Sequence, residues 1–167
     1  KDLRDEISGI SDTFGTDFRE TLQATNSVAK QFGISYEQAA DVISKGFVAG
    51  ANANGEFIDT LKEYPAYFKE AGISASDFVA IIAKSNQEGI FSDKGVDAIK
   101  EGNLRLREMT TATASALEGI GISSKKVQED LQSGAKTTWQ VMQEVSQKLS
   151  ELPESSSKVG TAIADIF

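Results

Sequence analysis

The feature that most constrains this fold is the spacing of apolar residues, which recur at steps of three and four along most of the chain. In the first 32 residues they fall at Leu3, Ile7, Ile10, Phe14, Phe18, Leu22, Val28 and Phe32. Such steps place side chains on one face of an α-helix, and no segment shows the period of two typical of a half-buried strand. The sequence therefore predicts an all-α fold.

Turn and capping residues divide this pattern into about eight helices with short connections. Gly9 and Gly15 are expected to interrupt the first apolar stripe. The segment Asp17-Phe-Arg-Glu20 has the form of a capping box, so a helix is expected over about 17–32. Farther along, Pro65 is expected to end or kink a helix at the residue before it.

The second half of the chain carries further helical stripes. One runs from about residue 93 to Ile120 and predicts a single long helix, in which Gly102 costs about 1 kcal/mol relative to Ala. Ser92 or Asp93 is expected to be its N-cap. Another stripe predicts a helix with Trp139, Met142, Val145, Leu149 and Leu152, stopped by Pro153, and Val159, Ile163 and Phe167 predict a last amphipathic turn or two.

The tripeptide Gly-Ile-Ser recurs where helices are expected to meet. Copies stand at 33–35, 72–74 and 121–123, and a fourth stands at 9–11. Gly suits the position after a last helical turn, Ile can pack back on the finished helix, and Ser can cap the next helix. Ser35-Tyr-Glu-Gln38 also supplies the Gln that completes a capping box. The tripeptide therefore predicts a tight helix corner and no solenoid period.

Length and composition favour one helical domain over residues 1–167, with possible sub-units at 1–91 and 92–167. The 167 residues are 40% hydrophobic, which is enough to bury a core. The chain begins on a charged stretch without Met and stops on Ala-Asp-Ile-Phe, so we expect it to be a segment of a longer protein.

The residue types that are missing exclude several kinds of chemistry. There is no Cys and no His, which excludes disulfides, thiolate or imidazole metal sites and nucleophilic sites that depend on His. A formal charge of −8 disfavours nucleic acid, and the nearest basic pairs, Lys125-Lys126 and Arg105/Arg107, are expected to be solvated helix faces. No apolar run approaches the roughly 20 residues of a membrane span.

Two segments resemble cation sites and are interpreted as ordinary structure. Placing Gly55 at the sixth position of a calcium-binding loop puts Gly50 first and Leu61 twelfth, where oxygen ligands are required, so a turn is expected. Asp93 and Asp97 stand four apart on one predicted helix face. Their expected roles are an N-cap and a favourable charge near the helix N-terminus.

The remaining candidates are carboxylates and aromatic side chains. A glycoside hydrolase needs two carboxyls across a cleft, whereas the acids here are spread along polar helix faces: Glu37, Glu56, Glu63, Glu88, Glu101, Glu129 and Glu144. Trp139 is expected in the core. Tyr64, Tyr67 and Phe68 form either an exposed patch or, as we expect, a knot of core. No catalytic, cofactor-binding or metal-binding residue is predicted, and no cofactor.

The helices and corners together resemble those of phage tail tape measure proteins. The resemblance rests on VAKQFGISYEQAADVISKGFVAGANANGEFIDTLKEYPAYFKEAGISASDF, GIFSDKGVDAIKEGNLRLREM and ATASALEGIGISSKKVQEDLQSGAKTTWQVMQEVSQKLSEL, with TAIADIF at the end. It covers about residues 17–167. The family's closing Ile-Phe-Gly element is represented here by Ile166 and Phe167 alone. No catalytic motif takes part, so the resemblance carries over no functional residue.

The resemblance implies a structural role in a phage or prophage tail. Tape measure proteins are long helical chains that scaffold the tail tube as it polymerises and set tail length. The implied partners are the tail tube, assembly chaperones and tail tip, with self-association possible, and the implied locations are the virion tail and, during assembly, the host cytoplasm. Two alternatives remain: a cell-wall hydrolase module embedded in a tail protein, and a helical adaptor unrelated to phages.

Overall fold

The computed structural model describes residues 2–90, 94–153 and 155–167, and within these ranges every regular element is a helix. The all-α prediction is confirmed. The described residues form eleven successive helices: α1 Leu3–Phe14, α2 Phe18–Phe32, α3 Tyr36–Val48, α4 Phe57–Glu63, α5 Pro65–Glu70, α6 Ala75–Gln87, α7 Lys94–Glu108, α8 Thr111–Gly119, α9 Ser124–Ser133, α10 Thr138–Ser150 and α11 Ser157–Ile166. The number exceeds the expected eight in part because the stripe expected as one long helix is divided into α7 and α8.

The chain groups into two compact units, Lys1–Asp97 and Ala98–Phe167, with the boundary inside α7. In the first unit α2 packs against α1, α3, α4 and α5, and α3 also contacts α1 and α6. Its core holds two aromatic clusters. Phe78 contacts Phe32 and Phe68 with ring centroids 5.7 and 4.4 Å apart, and Phe47 stacks on Phe14 at 4.5 Å while meeting Phe57 edge-on at 5.0 Å.

In the second unit α8 packs against both α9 and α11. Its fully buried side chains include Leu106, Leu117, Val141, Val145 and Ile166. Polar side chains also enter this core. Asn103 is fully buried, and its Oδ1 accepts a hydrogen bond from Thr138 Oγ1 at 2.6 Å.

The three predicted Gly-Ile-Ser corners are confirmed. Each Gly has a positive φ of 67 to 84°, and each Ile amide donates to a carbonyl of the preceding helix at 2.9–3.0 Å, which is the long hydrogen bond of the Schellman motif. Each Ser side chain accepts from the backbone amide three residues on, and Ser35 with Gln38 forms a complete capping box. The fourth copy is different, because Gly9, Ile10 and Ser11 lie inside α1.

Other local predictions were confirmed in part. Asp17 caps α2 by accepting from the Glu20 amide at 2.9 Å. Gly15 ends α1 with a φ of 70°, but Gly9 does not interrupt that helix. Pro65 begins α5 directly after Tyr64, as expected for a residue whose missing N–H costs nothing at the first helical position.

The single helix expected over about 93–120 was wrong. Helix α7 ends at Glu108, Met109 adopts a left-handed φ of 47°, and Thr110 caps α8 by accepting from the Thr113 amide. Apolar periodicity continues through the break and therefore hides it. The capping run Thr-Thr-Ala-Thr113 was the signal that went unused. The expected N-cap at Ser92 or Asp93 lies outside the described residues.

Three further expectations for the second unit need correction. Gly102 was expected to destabilise its helix relative to Ala. Instead Met142 packs closely against it, since an added Cβ would stand 2.8 Å from Met142 Sδ. Trp139 is only partly buried. In α11 the buried residues are Ala162 and Ile166, whereas Ile163 is 55% exposed. A 3.6-residue period leaves the rotation of a short helix open, and its packing partners decide which face is buried.

Candidate functional site

The segment considered as a calcium loop forms a turn whose side chains bind the backbone. Asn52 Oδ1 accepts from the Phe57 amide at 3.2 Å, and Asn54 Oδ1 accepts from the Glu56 amide at 3.1 Å. These carboxamide oxygens are thus used to close the turn. In the described ranges no group of three or more acidic side chains is arranged to hold a metal ion.

Asp97 has a role that the sequence did not suggest. Its carboxylate accepts a hydrogen bond from the hydroxyl of Tyr64, with 2.5 Å between the oxygens. Tyr64 is only 3% exposed, and Phe68 beside it is fully buried, so the expected aromatic knot of core is confirmed for these two residues. The pairing considered for Asp97 involves Asp93, which lies outside the described residues.

The glutamates examined as hydrolase candidates are spread over several helices and helix ends, with Glu56 and Glu63 at the two ends of α4 and Glu88 just after α6. Glu88 pairs with Lys84 at 2.6 Å, and the hydrogen bond from this ammonium lowers the pKa of Glu88 below its usual value. Glu144 pairs with Lys136 at 2.5 Å. Glu37 is the one member of the set that lines a described groove between helices.

The basic side chains considered as a nucleic-acid surface make contacts within their own unit. Lys126 Nζ lies 2.7 Å from the carboxylate of the buried Asp130, and this hydrogen bond raises the pKa of Lys126. Arg105 donates to the carbonyl of Ala164, and Arg107 Nε donates to Asn103 Oδ1 at 3.2 Å. Lys125 is exposed.

A groove lies between α1 and α3 in the first unit. Its volume is about 400 Å³, and it is lined by two helix faces: Glu6, Gly9, Ile10, Thr13 and Phe14 from α1, and Glu37, Ala40, Asp41 and Ser44 from α3. Ile10 and Ala40 are buried and form its floor. Phe14 closes one end and is supported by its stacking on Phe47.

This groove combines an apolar floor with an acidic rim. Three carboxylates line it, and no Lys or Arg lines it. Asp41 pairs with Lys45 at 2.7 Å, which offsets part of its charge, and no ion pair to a Lys or Arg is described for Glu6 or Glu37. The spacing of its residues on each helix, at i, i+3, i+4 and i+7, was available in the sequence. What was missing was the knowledge that α1 and α3 are neighbours.

A second groove lies in the other unit and contains the chain's single Trp. Its volume is about 380 Å³, and its lining is mostly apolar: Ile99, Trp139, Met142, Gln143, Ser146 and Phe167. Trp139 is therefore a groove wall as well as a packing residue, which corrects its expected place in the core. None of the lining side chains is charged, so the lining gives no indication of the charge of a molecule that could bind in this groove.

None of the helices in the described residues is long and apolar enough to cross a membrane. A family model described as phage-related minor tail protein matches residues 5–167. No curated protein and no solved structure matches the chain.

Proposed function

The chain belongs to the phage-related minor tail protein family, and from this premise we propose that it is a helical module of a tail tape measure protein. The observation that carries the proposal is the match over residues 5–167, nearly the whole chain. The resemblance of its helices and corners to tape measure proteins supplies the finer role. In this role the module scaffolds the tail tube during assembly and helps to set tail length.

The all-helical fold supports this role on physical grounds. An α-helix rises about 1.5 Å per residue, so a long helical chain converts residue number into length. The short helices of this module are too compact to measure length themselves. We therefore propose that the module binds other tail components, such as the tube, its assembly chaperones or the tip, in the host cytoplasm during assembly and in the virion tail afterwards.

We further propose that the module has no enzymatic activity. The glutamates considered as hydrolase candidates are dispersed along the chain, and Glu37 is the member of that set that lines the groove between α1 and α3, which Glu6 also lines. The purified chain should leave peptidoglycan intact in a zymogram. A zone of clearing that disappears in the variant Glu37→Gln would overturn this part of the proposal and favour the hydrolase alternative.

Deletion in the phage or prophage that encodes the chain tests the tape measure role. Removal of the codons for residues 5–167 should shorten the tails by at most about 240 Å, the length of a continuous helix of that many residues. A matched control replaces the segment with an unrelated helical sequence of equal length. Tails of normal length and normal infectivity after the deletion would contradict the proposal.

A further inference from the structure

The groove between α1 and α3 has the features of a helix-binding site with a charge preference. We propose that it binds a basic amphipathic helix of a different protein. This inference goes beyond the proposed function and does not depend on it, because it rests on the shape, small residues and charges of the groove itself.

The shape of the groove fits a helix. Each wall is one face of an α-helix and presents residues at i, i+3, i+4 and i+7, beginning at Glu6 on α1 and at Glu37 on α3. Parallel ridges of this kind accept the ridge of a third helix, and an amphipathic helix laid in such a groove buries its own apolar face. The floor of Ile10 and Ala40 supplies the apolar contact.

Gly9 gives an independent indication that a backbone approaches the groove closely. A Gly in a helix interior is less stable than Ala, and the close approach of another backbone is a common reason for its presence. Apart from its two chain neighbours and the nearby backbone of its own helix, no described atom lies within 4 Å of a Cβ added at Gly9. The space above Gly9 is therefore open. No contact within the described part of the molecule requires a residue without a side chain at this position.

The charges of the groove specify the partner. Glu6, Glu37 and Asp41 form the acidic rim, and Glu6 Oε2 is buried without a hydrogen-bond partner among the described residues. An acceptor in this position favours a nearby donor, and a Lys or Arg side chain from a partner would supply one once the Glu6 side chain turns toward the groove. The groove thus combines apolar contact at its centre with acceptors for cations at its edge.

A second copy of this chain is a poor occupant on the same grounds. The chain carries a formal charge of −8, so two copies repel at long range, and the acidic rim adds to that repulsion locally. A partner with Lys and Arg along one side of a helix is attracted both by the net negative charge of the chain and by the acidic rim of the groove. The groove therefore selects a different protein.

The test uses the full chain and two synthetic amphipathic peptides of about 18 residues, one of Leu, Ala and Lys, the other with Glu in place of Lys. Binding is followed by amide chemical shifts in ¹H–¹⁵N spectra. The Lys peptide should perturb α1 and α3 and bind more weakly as salt is added, and the Glu peptide should not bind. Equal binding of both peptides, no binding of either, or shifts confined to other helices would overturn the proposal.

Variants separate groove binding from folding. Gly9→Leu extends a side chain from a position where an added Cβ meets open space, so the thermal midpoint should be kept while affinity for the Lys peptide falls about tenfold or more. Glu37→Gln should weaken binding about two- to fivefold at low salt, whereas the matched control Glu63→Gln, at an exposed position of α4 away from the groove, should not. Unchanged affinity in Gly9→Leu, or a dimer in sedimentation that this variant abolishes, would contradict a groove for a different protein.

Discussion

Gly46 in α3 lies so close to Phe57 in α4 that no side chain fits between them. A Cβ added at Gly46 would stand 2.6 Å from Phe57 Cζ and 2.5 Å from Val79 Cγ1 of α6. Phe57 is fully buried and holds Phe47 edge-on, so it has little room to move. A single missing methyl group thus allows α3, α4 and α6 to pack together.

Gly46→Ala should therefore destabilise the protein although Ala is the better helix former. We expect a loss of about 1–3 kcal/mol in the free energy of unfolding, measured by urea titration, because the buried neighbours must shift. Gly9→Ala is the matched control in the same unit, where the added methyl meets open space and should stabilise by about 0.5–1 kcal/mol. Equal effects at the two sites would contradict this packing.

The corner at Gly33 depends on backbone conformation alone. Its φ is 67°, and no atom lies within 4 Å of an added Cβ. Gly33→Ala should cost about 1–2 kcal/mol, because an L-residue is strained in the left-handed region. Gly33→Asn should cost less, since Asn tolerates that region better. Thermal unfolding followed by circular dichroism gives both values, and an Ala variant as stable as the parent would refute the strain.

Thr113 ties the start of α8 to α11 through a buried hydrogen bond. Its Oγ1 donates to the carbonyl of Asp165 at 2.8 Å, and the residue is only 1% exposed. Thr113→Val keeps the shape but leaves this carbonyl without its donor, so we expect a loss of about 1–2 kcal/mol in unfolding free energy. Thr111→Val changes an exposed Thr of the same helix and should have a much smaller effect. Equal losses would show that the hydrogen bond contributes nothing.

The ion cluster around Asp130 should make stability depend on alkaline pH. Lys136 Nζ lies 2.5 Å from Glu144 and 3.8 Å from Asp130, and the hydrogen bond to Glu144 raises the pKa of Lys136 above its usual value of 10.5. A raised pKa in the folded state means that the stabilisation is complete below 10.5 and is lost as pH rises through the higher folded value.

Chemical denaturation at about pH 9 and about pH 12 gives the free energy of unfolding at each pH. Between these two values it should fall more for the parent chain than for Lys136→Met. Lys125→Met removes the same charge from an exposed position of α9 and should keep the parent's pH dependence. If Lys136→Met lost stability with pH as steeply as the parent, the pair with Glu144 would not be the cause.

Local features of the fold were predictable because they depend on a few neighbouring residues. The N-caps Asp17, Ser35 and Ser74 and the helix start at Pro65 each follow from hydrogen-bonding capacity or a fixed φ, which the sequence specifies directly. The break at Met109 was missed because it depends on distant contacts. Thr113 and Arg105 bind the carbonyls of α11, and this anchoring outweighs the continuous apolar period through the break.

The candidate groove was beyond the reach of the sequence for a related reason. Its two walls show helical spacing in the sequence, but 31 positions separate Glu6 from Glu37 (37 − 6), and nothing in the spacing indicates that α1 and α3 lie side by side. The same limit applies to Trp139, whose helical spacing with Met142 suited a core residue and a groove wall equally well.

The sequence by itself determined the helical class, the corners at the three Gly-Ile-Ser copies and the exclusion of Cys and His chemistry, since these depend on residue type and short-range spacing. Only the tertiary structure decided which helix faces are buried, where Met109 breaks a periodic run, and which acidic residues share a groove. The physical reason is that packing and long-range hydrogen bonds contribute more than local propensity, and they act between residues whose proximity the order of the chain does not reveal.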